Sequence, residues 1–168
     1  ISGTLSVCVN STTTLTPSSA GGTWSSSDVT LATVGSSSGI VTGVAAGLPN
    51  ISYFLGGCTS VVQLTVNALP SITATASPNP LCEGSTLNLT STPSGGSGTY
   101  SSYAWTGPSS FSSTIQNTTR GSMIIAYAGT YSITVTDNKG CTSPVGTTAV
   151  VTVNATPDVS NFSTSATS

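Results

Sequence analysis

Four cysteines, four carboxylates, two cations and no histidine are all that this sequence offers to reaction chemistry beyond its hydroxyls. Without an imidazole, neither a Ser-His nor a Cys-His nucleophile pair can be assembled. The carboxylates Asp28, Glu83, Asp137 and Asp158 are scattered one at a time. Asp28 follows a tryptophan-bearing stretch and is read as bonding to nearby backbone; Glu83 sits in a Cys-Glu-Gly turn. Asp137 opens Asp137-Asn138-Lys139-Gly140, read as a hairpin turn whose glycine supplies a positive φ. Calcium takes about six to eight oxygens, usually several of them carboxylate, and Asp137 with Asn138 falls short of that. The expectation is a chain with no catalytic residues, no metal and no cofactor.

The cysteines are the more informative set. Cys8 and Cys58 are 58 − 8 = 50 positions apart, and Cys82 and Cys141 are 141 − 82 = 59 apart. A four-thiolate zinc site wants closely paired ligands, and the sequence has no CxxC. Disulfides are the reading that remains, and with them an oxidising, extracellular setting. Four cysteines permit three pairings. Two fall in each copy of an internal repeat, so the expected pairs are Cys8–Cys58 and Cys82–Cys141.

That repeat is the element that must position them. Cys58-Thr59-Ser60 leads through Val61–Val66 to Asn67-Ala68-Leu69-Pro70, and Cys141-Thr142-Ser143 leads through Ala149–Val153 to Asn154-Ala155-Thr156-Pro157. The two prolines are 157 − 70 = 87 positions apart, the length of one small β domain. Self-similarity at such a period indicates tandem modules. Alternation of period 2 dominates both copies, with strands expected near Ile51–Leu55, Val61–Val66, Thr86–Ser91, Ser122–Ala126, Thr130–Thr136 and Thr147–Val153. The chain is therefore expected to be all-β: two tandem immunoglobulin-like sandwiches at 1–68 and 69–156, mostly antiparallel, then an extra strand at 157–168. Trp24, Trp105 and Tyr131 are the expected core aromatics.

Composition narrows the partners. Charged residues are 4% of the chain, against about 25% in ordinary globular domains. With Arg120 and Lys139 as the only cations, nucleic acid and anionic membrane surfaces are excluded as partners. Ser, Thr, Gly and Pro interrupt every apolar stretch, so no membrane insertion is expected.

Particular residues resemble known families. Gly22-Thr23-Trp24-Ser25-Ser26-Ser27-Asp28, Ala32-Thr33-Val34 and Ser38-Gly39-Ile40-Val41-Thr42-Gly43-Val44-Ala45-Ala46-Gly47 closely resemble the bacterial immunoglobulin-like group 2 domain, across nearly all of 1–67. Tyr103-Ala104-Trp105 and Ala128-Gly129-Thr130-Tyr131-Ser132-Ile133-Thr134-Val135-Thr136-Asp137 look like a PKD-type repeat, which departs at Thr106-Gly107-Pro108 from that family's acidic, glycine-rich turn. The joints and the Ser/Thr richness resemble arrays in giant surface proteins of Bacteroidota-type bacteria. The resemblance implies an extracellular spacer, adhesin or fibre module with no catalysis.

Assembly is the expected activity. Isolated sandwiches guard their edge strands with lysine, proline, bulges or inward charges, and this chain has almost no charge for that purpose. The chain opens in mid-pattern at Ile1, as an excised piece would, and Asp158–Ser168 reads as the first strand of a further domain or as a donor strand, with Asp158, Val159 and Phe162 as its candidate assembly residues. The expected partners are copies of the chain itself or neighbouring repeats of one array. The alternative is a glycan- or surface-ligand-binding module whose patch is Tyr100, Tyr103 and Phe111.

Overall fold

The computed structural model describes residues 1–157, so the tail with Asp158, Val159 and Phe162 lies outside the described residues. Regular structure among the described residues is β-strand apart from one 3-10 turn.

The first repeat forms β1 (Ser6–Cys8), β2 (Thr12–Thr14), β3 (Thr23–Ser26), β4 (Ala32–Val34), β5 (Ile40–Gly43), β6 (Asn50–Leu55), β7 (Cys58–Gln63) and β8 (Thr65–Asn67). They pair as two antiparallel sheets, β2-β5-β4 and β3-β6-β7, while β1 lies parallel to β8. This is the partition of strands between the two sheets of an immunoglobulin-like sandwich. Alternation explains the inner faces: in β6 Ile51 and Tyr53 are buried while Phe54 faces out. Val7, Leu15, Trp24, Ala32, Val41, Ile51, Tyr53, Leu64 and Val66 make one apolar cluster.

The second repeat forms β9 (Pro70–Ser77), β10 (Leu81–Cys82), β11 (Leu87–Gly95), β12 (Tyr100–Gly107), β13 (Phe111–Ser113), β14 (Thr118–Arg120), the 3-10 turn Ile125–Tyr127, β15 (Ser132–Asp137), β16 (Gly146–Thr147) and β17 (Val153–Asn154). The sheets are β14-β11-β9 and β13-β12-β15-β16, and β10 lies parallel to β17. The chain is thus an all-β, immunoglobulin-like protein.

By compactness the described residues divide into two units. The first holds Ile1–Ile72, Pro93–Ser102 and Thr134–Pro144; the second holds Thr73–Thr92, Tyr103–Ile133 and the described part of Val145–Ser168.

Three expected strands come out differently. Val61–Val66 is divided at Leu64: β7 pairs with β6, and β8 leaves to pair with β1. Leu64 is fully buried there and donates its N–H to the Pro49 carbonyl at 2.9 Å, so the chain turns inward as it changes partner. Ser122–Ala126 is a corner, since Ser122 takes φ +50 and Met123 plunges into the core before the 3-10 turn. Thr147–Val153 is interrupted between β16 and β17, with Val151 alone bridging to Gly129.

Candidate functional site

Cys8 and Cys141 form a disulfide with their Cα atoms 5.6 Å apart, across 133 positions of sequence. Both cysteines belong to the first unit. Cys58 and Cys82 are free thiols, and both are exposed. The expected pairs Cys8–Cys58 and Cys82–Cys141 are therefore corrected.

Strand register gives the reason. In the parallel pair β1–β8, Cys8 stands opposite Asn67. Cys58 opens β7, 67 − 58 = 9 positions upstream of that asparagine, a run that reaches up to about 30 Å at about 3.3 Å per extended residue. A disulfide needs Cα atoms within about 7 Å. The second copy repeats the situation, since Cys82 stands opposite Asn154 in β10–β17, and Cys141 lies 154 − 141 = 13 positions upstream. In the first repeat the two cysteines stand at opposite ends of the run β7–β8; in the second they are separated by the irregular stretches 143–145 and 148–150 around the short β16. Neither repeat can close on itself.

The buried end of the bond is held by Asp137. Cys141 and Asp137 are each 1% exposed. Asp137 Oδ1 accepts from the N–H groups of Lys139 and Cys141, and Oδ2 accepts from the N–H of Ser97, all at 2.9 Å. Burial pushes this carboxyl up, but the N–H groups of Cys141, Ser97 and Lys139 outweigh it and hold the group below the ordinary carboxylate value. The turn is the expected one, with Gly140 at φ +79 and its N–H bonded to the Asp137 carbonyl at 3.0 Å. Gly96 permits the approach of the facing loop: at φ +59, an added Cβ would lie 2.7 Å from Asp137 Oδ2 and 3.1 Å from Pro70 Cβ. Asp28 plays a lesser version of this part, its carboxyl lowered by the hydroxyl and N–H of Thr30.

The second unit builds an aromatic cage around Arg120. Its guanidinium lies 3.6 Å from the Tyr127 ring centroid, 5.2 Å from Phe111 and 5.8 Å from Tyr131. Nη1 donates to the Pro108 carbonyl at 2.7 Å and to Tyr131 Oη at 3.0 Å. Tyr131 Oη in turn donates to the Tyr127 carbonyl at 3.0 Å, four residues upstream, the tyrosine corner of immunoglobulin-like folds. Both Nη1 bonds are made inside the unit, which ties Arg120 to this corner.

Trp24 and Trp105 are 5% and 1% exposed. Trp24 packs on Tyr53 at 4.7 Å, and Trp105 Nε1 donates to the Gln116 carbonyl at 3.1 Å. Tyr100, Tyr103 and Phe111 are each half-buried. Phe111 stands edge-on to Tyr131 at 5.3 Å, within the Arg120 cage. Tyr100 and Tyr103 are three apart on β12, so strand alternation turns them to opposite faces. Tyr100 Oη donates to the Gly95 carbonyl at 3.1 Å.

Two functional features escaped the sequence reading: the anchoring of Cys141 by Asp137 and the caging of Arg120. Only the first left a signal. Asp137 is four positions before a cysteine that the repeat marks, whereas Arg120 meets Tyr127 and Tyr131 by tertiary packing. Among the described residues no three His, Cys, Asp or Glu side chains gather as a metal would require.

The edge of sheet β3-β6-β7 is exposed. β7, Cys58-Thr59-Ser60-Val61-Val62-Gln63, carries no charge and no proline, and Val61 is 54% exposed.

No family model matches the chain, and no curated protein matches it. Among solved structures it is similar to the full ectodomain (Ig1–Ig3) of mouse nectin-like molecule 4, with 18% identity over 83% of this chain and 52% of that one at a TM-score of 0.44. It is similar to the amphioxus IgVJ-C2 molecule, with 18% identity over 88% of this chain and 99% of that one at a TM-score of 0.44. The fibronectin(III)-like modules of Clostridium thermocellum CbhA match at 13% identity, 90% of each chain and a TM-score of 0.42. The chain spans about half the length of the nectin-like ectodomain, and 43% of the Dscam1 isoform 7.44 four-domain structure.

Proposed function

We propose that this chain is a non-catalytic, extracellular structural module, one link of a cell-surface fibre or adhesin stalk. Its modules are 1–68 and 69–156, and its partners are further copies or neighbouring repeats, joined through strand edges, tail-strand addition by 157–168, or both. The observation that carries the reading is β7, a six-residue edge strand with exposed Val61 and no charge, proline or bulge to deter another strand. A net charge of −2 over 168 residues adds little repulsion between copies. Supporting this, the cage and the hairpin anchor spend their polar groups on rigidity, which suits a load-bearing part.

Electron microscopy of the purified chain, beside a version lacking residues 158–168, tests the proposal. Filaments in the full chain are expected. Their loss on deletion assigns assembly to the tail, and their persistence assigns it to the edges. Monomers in both samples overturn the link reading.

A further inference from the structure

The disulfide joins two kinds of position, and each kind occurs once more in the chain with a free thiol. Cys82 is built as Cys8 is. Each lies opposite the asparagine of an Asn-Ala-x-Pro exit in a short parallel pair. The residue after each donates its N–H to that asparagine's carbonyl, Val9 to Asn67 at 3.0 Å and Glu83 to Asn154 at 2.9 Å. Three positions after each cysteine, the N–H of Ser11 or Ser85 bonds back to its carbonyl, at 3.0 and 3.2 Å.

Cys58 is built as Cys141 is. Cys58 opens the strand after a hairpin and pairs with Leu55, the last residue of β6. Cys141 follows a hairpin and its carbonyl accepts from the N–H of Asp137, the last residue of β15, at 2.9 Å. Both continue as Cys-Thr-Ser. The turns differ in length, Gly56-Gly57 against Asn138-Lys139-Gly140, but the place of the cysteine in the ladder does not.

The bond already present therefore runs from the exit end of one repeat to the hairpin of the repeat that follows it. Within residues 1–168 the same rule sets Cys82 at an exit end and Cys58 in a hairpin, each as an exposed free thiol. We infer that Cys82 of one copy forms a disulfide with Cys58 of a second copy, so that links join head to tail by the covalent joint that Cys8 and Cys141 make inside each link. This rests on the reading of the chain as a link and names the chemistry of its joint. The exposure of Cys58 and Cys82 contrasts with the burial of Cys141, as an open joint contrasts with a closed one.

The bond forms by exchange with a small disulfide oxidant. The Cys82 thiolate attacks one sulfur of the oxidant RSSR, releasing RS⁻ and leaving a mixed disulfide. The Cys58 thiolate of the second copy then attacks the Cys82 sulfur and expels the second RS⁻. Two protein thiols and one RSSR give one protein disulfide and two RSH, which carry the two protons.

The test is oxidation of the purified chain with oxidised glutathione, read on non-reducing denaturing gels and by mass spectrometry of proteolytic fragments, with electron microscopy in parallel. A ladder at multiples of 16.5 kDa that collapses on reduction is expected, with a fragment joining the Cys82 and Cys58 peptides. Cys58→Ser and Cys82→Ser, each alone, should stay monomeric, while their equimolar mixture should give a dimer and nothing larger. A dimer of Cys58→Ser by itself, or an intramolecular Cys58–Cys82 bond, would overturn the inference. Filaments by microscopy with only monomers on the gel would overturn the joint and leave the link reading standing. Monomers by both methods would overturn both.

Discussion

Cys58 and Cys141 hold equivalent places in their two hairpins, each the first residue after the turn, yet one is an exposed thiol and the other is buried in a disulfide with Cys8. The difference comes from what stands opposite. Cys141 meets the exit end of the preceding repeat, where Cys8 faces Asn67.

Reducing Cys8–Cys141, or replacing both residues by serine, should destabilise the chain. A bridge spanning 133 positions lies at the long end of the loop-entropy scale, and removing native bridges typically costs about 2–5 kcal/mol. Urea unfolding followed by tryptophan fluorescence, with and without reductant, checks this. An unchanged midpoint would show that the bridge adds nothing to stability.

Asp137 should make stability depend on acid. Its folded carboxyl is held below its unfolded value of about 3.9, so its contribution is complete above that pH. The contribution is lost as pH falls through the folded value and the carboxyl takes up a proton. The urea midpoint of the native chain should therefore drop below about pH 4, and Asp137→Asn should flatten that drop. Asp137→Ala leaves three N–H groups without their acceptor, that of Cys141 buried, and should cost about 1–3 kcal/mol at neutral pH. Parallel slopes for native and Asp137→Asn chains would rule the role out.

The tyrosine corner is testable through its hydroxyl. Tyr131→Phe removes the bond to the Tyr127 carbonyl and the acceptor for Arg120, with an expected loss of about 0.5–1.5 kcal/mol. Arg120→Lys loses the planar stack on Tyr127, and a double-mutant cycle between positions 120 and 127 should return a coupling of about 0.5–2 kcal/mol. Zero coupling would mean that the stacking is incidental.

Assembly through β7 should be sensitive to one charge. Val61→Lys puts a lysine on the outer edge strand, the common natural guard, at a side chain already 54% exposed. Stability should move by less than about 0.5 kcal/mol, while filaments seen by electron microscopy disappear. Filaments of normal abundance would remove β7 from the assembly surface.

Much of this was legible in the residues because it is local. Alternation in Asn50–Leu55 and Ser132–Asp137 puts Ile51, Tyr53, Ile133 and Val135 inside, and period 2 is visible without knowing any partner strand. The Asp137–Gly140 turn was readable for the same reason. Where a strand had to change partner, the pattern was silent: Leu64 continues the alternation of Val62 and Val66, so nothing in it marks the step from β7 to β8. The Arg120 cage was equally invisible, because packing brings Phe111 together with Tyr127 and Tyr131 around Arg120.

The sequence alone determined a β protein of two repeats, nearly without charge, with a cysteine at the hairpin and another near the start of each repeat. Only the tertiary structure decided which cysteines meet. Pairing within a repeat respects the count of thiols but ignores the length of the strand between them, up to about 30 Å in the first copy. Register in β1–β8 and β10–β17 is set by contacts 67 − 8 = 59 and 154 − 82 = 72 positions apart in sequence. Those contacts carry each repeat's first cysteine to the end of the sandwich away from its own hairpin.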